Sequence, residues 1–292
     1  MSTCCHGRLL RKPDVHFTCE ESLNICKAGG FSVINIDLIE YSKPGQPLRK
    51  DDWEKWIITQ REIANQLNLQ ILYGHAPFYS WNAFEPYEDS LYEELISRSI
   101  KAAGIVGVKQ LVFHPFSFVN ADWYDYDKLL QQNIKAYTKY AEECSKYGIK
   151  TVIENMMEPG KTRKYGSSVE EILTLYEKLQ NRGDFGICWD FGHGHLSEIE
   201  QRKALLAIGN RLTMLHGSDN FGLADDHLAP YFGSIDWQCM MNTLHEIKYS
   251  GDFLFENFSF FDGAPAELRV PIMKLCRSIG EYLVNMFESF DS

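Results

Sequence analysis

No run of about 18 apolar residues occurs anywhere in this 292-residue chain, so a membrane-spanning helix is not expected. The opening MSTCCHGRLLRKPD lacks the apolar stretch of a secretion signal, which makes the cytoplasm the expected location. Nucleotide signatures are missing too: no G-x-G-x-x-G follows an apolar run, and no G-x-x-x-x-G-K-[ST] occurs. There is no C-x-x-C pair. The eight cysteines, at 4, 5, 19, 26, 144, 188, 239 and 276, follow no small-domain disulfide spacing and read as reduced thiols packed as small hydrophobes. Basic charge is short as well, with 29 Lys and Arg against 40 Asp and Glu; the net charge of −11 argues against general affinity for nucleic acid.

What the chain does have is a repeated unit. Short apolar runs begin at Ser32, Leu69, Gln110, Lys150, Phe185, Leu212 and Asp252, spaced by 37, 41, 40, 35, 27 and 40 residues. Parallel strands joined by crossover helices need about that length, and strands covered on both faces read as continuous apolar runs. The segments between carry helix signals. Asp51 or Asp52 can cap a helix through Leu67, Asp89 or Ser90 one to about Val106, and Ser168-Val169-Glu170-Glu171 is a capping box opening one to Gln180. Further helices are expected over Asp127–Tyr147, Leu196–Ile208, Asp236–Tyr249 and Ala264–Phe287, the last kinked or divided at Pro271. An eighth strand is placed at Val15–Thr18, ahead of a short helix Glu20–Ala28. The expectation is an α/β fold, a (β/α)₈ TIM barrel formed by residues 1–292 as a single domain, with an irregular first strand–helix unit.

In such a barrel, function belongs at the C-terminal ends of the strands. The runs empty into His75 (YGHAPF), His114 (FHPF), Glu154 (IENM), Asp190 and His193 (WDFGHGH), His216 and Asp219 (LHGSDN), and Glu256 (FENF); Asp225 and His227 follow in the next loop. Six of the nine histidines lie just past strand ends, which chance packing does not explain at so many strands together. Glu154, Asp190, His216 and Glu256 form a mixed oxygen and nitrogen set suited to a divalent metal ion such as Mn²⁺, Zn²⁺, Co²⁺ or Mg²⁺. Cys188 points the same way as Asp190, but its place deeper in the run assigns it to the core.

At these residues the sequence resembles the xylose isomerase-like TIM barrels, the superfamily of sugar phosphate isomerases and epimerases that also holds endonuclease IV. The most specific segment is HGSDNFGLADDHLAPYFGSIDW over 216–237, similar to the family's H-x-x-D-N and D-x-H-L-x-P-x-x-G-x-I-D-W pattern; DFGH over 190–193 resembles its D-x-G-H. The resemblance implies that Glu154, Asp190, His216 and Glu256 hold the metal, with His193 turned to substrate or a second metal. Two positions depart from the ketose 3-epimerases of this superfamily: Gly160 and Gly222 stand where those enzymes have a second glutamate and an arginine.

The implied activity is a divalent-metal-dependent sugar or sugar-phosphate isomerase or epimerase. Glu154 and Glu256 are expected as the catalytic acid/base pair, removing and returning a proton beside a carbonyl through an enediolate. His75, His114 and His193 are expected to bind substrate hydroxyls, and Asp225 and His227 to orient His216 or hold a second metal. Phe78 and Trp81, with Tyr79, Phe116 and Trp123, are wall candidates for the sugar or loop packing. Lys161, Arg163 and Lys164 are either a handle for a phosphate or sugar acid or a solvated loop. Asn155 and Asn257 are expected to point away from the ligands, and His195 to be a loop residue. The expected partner is a small carbohydrate, with homo-oligomerisation open and nucleic acid and membrane disfavoured. An endonuclease IV-like abasic-site nuclease is the alternative, because the ligand types of its three-zinc centre recur at His75, His114, Glu154, Asp190, His193, His216, Asp225, His227 and Glu256. A non-catalytic sugar-binding barrel ranks third.

Overall fold

A computed structural model describes residues 2–5, 8–9, 12–16, 18–78, 89–117, 124–158, 163–197, 199–257, 260 and 264–290. Its frame is a closed barrel of eight parallel strands: β1 (Ser2–Cys5), β4 (Val33–Asp37), β5 (Gln70–His75), β6 (Gln110–Phe113), β7 (Lys150–Glu154), β8 (Phe185–Asp190), β9 (Leu212–Gly217) and β10 (Leu254–Phe255). β1 closes the ring by pairing with β10 through Ser2–Leu254 and with β4 through Ser2–Val33.

The first unit differs from expectation. Val15–Thr18 is not a barrel strand; Lys12–His16 (β3) pairs antiparallel with Arg8–Leu9 (β2) in a separate two-stranded sheet. The true first strand, STCC, is short and carries no β-branched apolar run, so its place depends on backbone pairing to both neighbours. The helix that follows, α1 (Cys19–Ala28), opens on a capping box between Thr18 and Glu21.

α2 (Leu38–Tyr41) and α3 (Trp53–Gln66) both lie between β4 and β5, and α4 (Asp89–Val106), α5 (Tyr126–Ser145) and α6 (Val169–Leu179) then alternate with the strands. The expected helix Leu196–Ile208 is two helices, α7 (Phe191–Leu196) and α8 (Gln201–Ile208). The first starts directly after β8 because Asp190 caps it, accepting from His193 N at 2.7 Å. α9 (Trp237–Glu246) precedes β10, and α10 (Ala266–Ser289) passes through Pro271 as one helix. Pro271, the sixth residue of the helix, removes one intrahelical donor without ending it. No helix among the described residues is long and apolar enough to cross a membrane.

The core has two parts. A large cluster fills the space between strands and helices, and a small one, Tyr73, Val112, Val152, Cys188, Met214 and Leu254, fills the barrel interior with one residue from each of six strands. Side chains two apart on a strand share a face. Two residues past each plug residue stand His75, His114, Glu154, Asp190, His216 and Glu256, so the period that packs the interior also aims these six side chains at one mouth.

Candidate metal centre and active site

The arrangement centres on Glu154, at the end of β7 and fully buried. Its Oε1 lies 2.6 Å from His216 Nδ1, and its Oε2 lies 3.1 Å from His75 Nε2 and 3.0 Å from His114 Nε2. His216 Nδ1 also faces Glu256 Oε2 at 2.9 Å and Asp190 Oδ2 at 3.8 Å. Thus Glu154, Asp190, His216 and Glu256, the four expected ligands, offer ligand atoms all within 4.8 Å of one another. The same limit gathers His75, His114 and Glu154, and separately His193, Asp225 and His227.

Three buried carboxylates around one imidazole nitrogen are a poor arrangement for protein groups alone. A ring nitrogen carries one hydrogen at most, and buried like charges cost several kcal/mol unless a cation offsets them. A divalent ion on these four residues resolves both problems, and the oxygen-rich donor set with one imidazole suits Mn²⁺, Mg²⁺, Co²⁺ or Zn²⁺. Cys188 Sγ also lies within 4.8 Å of Glu154 and His216 ligand atoms. Burial pushes this thiol up to about 12, which keeps it protonated and favours its role as interior packing.

The local electrostatics follow from the same crowding. At Glu154 burial opposes ionisation, but His216 and His114 outweigh it and hold the carboxyl well below the usual range. At Glu256 burial is likewise outweighed, chiefly by His216, and the group falls to about 2. Burial raises Asp190 to about 6, helped by Glu256 and Glu154 against His193. His114 falls to about 4 through burial and is neutral near pH 7, the form that accepts a metal or a hydroxyl hydrogen.

Asn155 ties the centre together. As expected it points away from Glu154, and its side chain grips the end of β8: Oδ1 accepts from Asp190 N at 2.6 Å and Nδ2 donates to Asp190 O at 3.0 Å. Its carbonyl lies 2.8 Å from His193 Nδ1, which turns the other nitrogen to Asp225 Oδ2 at 3.7 Å. Ser218 Oγ donates to Asp190 Oδ1 at 3.0 Å. Asn257 also turns away from its glutamate, donating to Cys276 Sγ at 3.0 Å.

Other expected residues land differently. Asp225 and His227 bond to one another at 3.1 Å, and His227 Nδ1 lies 2.9 Å from Glu256 O; their partners are each other, His193 and the β10 end rather than His216. Asp219 is a staple for its loop, accepting from Asn220 N, Tyr231 N, Ile235 N and Trp237 Nε1 at 2.9, 3.0, 3.2 and 2.8 Å. His195 lies in α7 rather than in a loop and reaches Ser234 Oγ at 2.9 Å. Phe78 stacks on His114 with ring centres 4.2 Å apart, whereas Phe116 packs on the core. Trp81, Tyr79, Trp123, Lys161 and Gly160 lie outside the described residues. Gly222 has φ +74°, a conformation that L side chains rarely adopt, so an arginine at that position would be strained on this backbone.

Asp37 was missed. It ends β4 in register with His75, caps α2 through Ile39 N at 2.9 Å, and is raised to about 7 by burial and Glu40. The signal is present in the sequence, since this apolar run also ends in a carboxylate, directly before Leu38 opens α2.

The family described as xylose isomerase-like TIM barrel matches residues 25–270. The chain belongs to this family. Among the family's relatives, an uncharacterized protein y4fM of Sinorhizobium fredii is 27% identical over 172 residues, covering 56% of this chain and 51% of that protein, so the chain spans about half the length of this relative. The uncharacterized protein MJ1311 of Methanocaldococcus jannaschii is 27% identical over 70% of each chain. A probable endonuclease 4 of Acholeplasma laidlawii is 21% identical over 71% of this chain and 74% of its own. Among solved structures, a D-tagatose 3-epimerase-like protein superposes with TM-score 0.74 at 20% identity, over 100% of this chain and 99% of the other. At that identity the likeness concerns the barrel fold.

Proposed function

We propose that this chain is a divalent-metal-dependent isomerase or epimerase of small carbohydrates, working by proton transfer at a carbon beside a carbonyl. The observation that carries this reading is the pair of ionised, buried carboxylates Glu154 and Glu256 on the same His216 nitrogen, at 2.6 and 2.9 Å. They arrive from β7 and β10, which β8 and β9 separate, so the two acid/base groups approach one small molecule from different sides. Solved epimerases of D-psicose and of a 3-keto-D-glucoside with the same fold support the substrate class.

Glu154, Asp190, His216 and Glu256 would hold the ion, which when bound supplies Lewis-acid stabilisation of negative charge on adjacent substrate oxygens. The chain's own groups do the rest. One glutamate takes the proton. Its return to the neighbouring carbon gives isomerisation; in epimerisation the first glutamate keeps that proton, and the other, which must enter the step protonated, gives its own proton to the opposite face. His75 and His114 present ring nitrogens to hydroxyls, and Phe78, stacked on His114, shields them from water. Asn155 holds Asp190 and His193 in place throughout.

A second reading, metal-dependent cleavage of a phosphodiester at an abasic site, is favoured by the two further ligand groups, His75–His114–Glu154 and His193–Asp225–His227. Metal analysis of the purified protein and a panel of ketoses and ketose phosphates separate the two. The first reading predicts proton exchange with at least one sugar and no cleavage of an abasic duplex. Cleavage without exchange contradicts it.

A further inference from the structure

We propose that the outer face of α10 pairs two copies of this chain into a two-fold dimer, with the two α10 helices antiparallel. The inference is independent of the reaction proposed above.

A helix on the outside of a barrel needs one apolar stripe. α10 has two. Met273, Cys276, Gly280 and Leu283 are buried on the side that packs on α1 and α9. About a third of a turn away run Leu268, Ile272, Leu275, Ile279, Tyr282 and Met286, alternately four and three residues apart. That is the a/d spacing of a helix seated against a second helix, with Ile, Ile and Met in one register and Leu, Leu and Tyr in the other. Ile272, Ile279 and Met286 lean on the core, whereas Leu268, Leu275 and Tyr282 are 50%, 43% and 59% exposed. The stripe continues onto the loop after β9. The Tyr231 ring stands edge-on to Tyr282 with centres 5.9 Å apart, and Phe232 does the same to Phe260 at 4.6 Å, both half-exposed. Tyr231 holds φ +75°, an outlying conformation for a bulky residue, so the loop sustains backbone strain with that ring at the surface.

Size and charge point to a second copy as the occupant. The helical stripe is about 27 Å long and about 10 Å wide. With the half-exposed loop rings the face reaches roughly 500 Å², more than monomers ordinarily leave contiguous. Its polar rim brings it towards the roughly 800 Å² per partner of a stable interface. An anionic lipid surface is disfavoured, because the net charge is −11 and the exposed edge beside the stripe carries Glu267, Glu281 and Glu288 against Lys274. A two-fold axis near Arg277 closes the stripe on itself. Leu275 then meets Ile279 of the second copy, Ile272 meets Tyr282 and Leu268 meets Met286, an apolar pair at every level. The same axis sets Lys274 against Glu281 of the second copy, once on each side; Arg277 already contacts that carboxylate within its own helix at 2.8 Å. Pro271, Ser278 and Asn285, between the stripe and its edge, carry no charge that the contact would bury. Glu267 and Glu288 fall at the two ends, where water screens them.

Sedimentation equilibrium of the purified chain, from about 1 to about 100 μM, tests the pairing. The wild type should reach twice the 33.7 kDa of one chain. Leu268→Glu and Leu275→Glu, each present on both copies, should raise the dissociation constant at least about 30-fold. Leu206→Glu, at an exposed leucine of α8, should leave it unchanged. Thermal melts check that the variants fold. Hydroxyl-radical footprinting needs no variant: on the wild type Leu275, Tyr282 and Tyr231 should be oxidised less at the high concentration than at the low one, and Leu206 equally at both. A wild type that stays monomeric over the whole range overturns the proposal, including one that instead binds vesicles of phosphatidylcholine and phosphatidylserine. So does a dimer that survives both α10 substitutions, or one whose Leu275 and Tyr282 oxidise equally at the two concentrations.

Discussion

Asn155→Ala is the substitution whose consequences can be worked most fully from the geometry. It removes two hydrogen bonds, at 2.6 and 3.0 Å, and strands the buried backbone N–H and C=O of Asp190. Each lost bond is worth about 1 kcal/mol net, and each stranded group up to about 1.5 more, so the loss is roughly 2–5 kcal/mol. At about 2–4 °C per kcal/mol for a chain of this size, the melting temperature should fall by about 5–20 °C. The Asp190 carboxylate and the His193 ring lose their alignment as well, because Asn155 O holds His193 Nδ1 at 2.8 Å. Removing a group that orients ligands typically weakens metal affinity about 10- to 100-fold. Thermal melts with chelator and with added Mn²⁺ or Zn²⁺ read both effects, since an ion that binds only the folded chain raises its melting temperature. A variant that melts within a degree of wild type and gains as much from metal refutes the clamp.

Cys188→Ala should leave metal content unchanged, because burial keeps that thiol protonated; the variant should lose about 1–2 kcal/mol from the interior plug, and halved metal content contradicts this. Asp219→Ala removes the acceptor for four donors and should cost roughly 3–5 kcal/mol, with proteolysis between 219 and 237 as the readout; unchanged protease resistance contradicts the staple. The buried ammonium of Lys164 is lowered from 10.5 to about 8, so between these values the unfolded chain holds a proton that the folded chain has released, and stability contributed by this group rises with pH. The melting-temperature difference between wild type and Lys164→Met should therefore shift towards wild type from pH 8 to 10.5, and a constant difference contradicts the burial.

Much of the barrel was legible because parallel strands buried on both faces leave continuous apolar runs with helix-length gaps, and seven of the eight strands lie where those runs fall. The eighth was not, since β1 is held by pairing to β4 and β10 and carries no pattern of its own. The convergence of Glu154, Asp190, His216 and Glu256 followed from strand periodicity, which places each two residues beyond an interior side chain. The grouping of Asp225 and His227 with His193 did not follow, because it depends on a loop path stapled by Asp219, which periodicity cannot describe. Asp190's second task as the cap of α7 was equally hidden, since DFGH reads as strand end and loop until the helix is seen to begin at Phe191.

The central claim is proton transfer by Glu154 and Glu256, and solvent deuterium uptake tests it most directly. The metal-loaded protein in D₂O should place deuterium on the carbon next to the carbonyl of a ketose or ketose phosphate, followed by NMR. Glu154→Gln and Glu256→Gln should each slow that uptake by about 10²- to 10⁴-fold. Full exchange in either variant contradicts the assignment, and an absence of exchange with every sugar contradicts the proposed reaction itself.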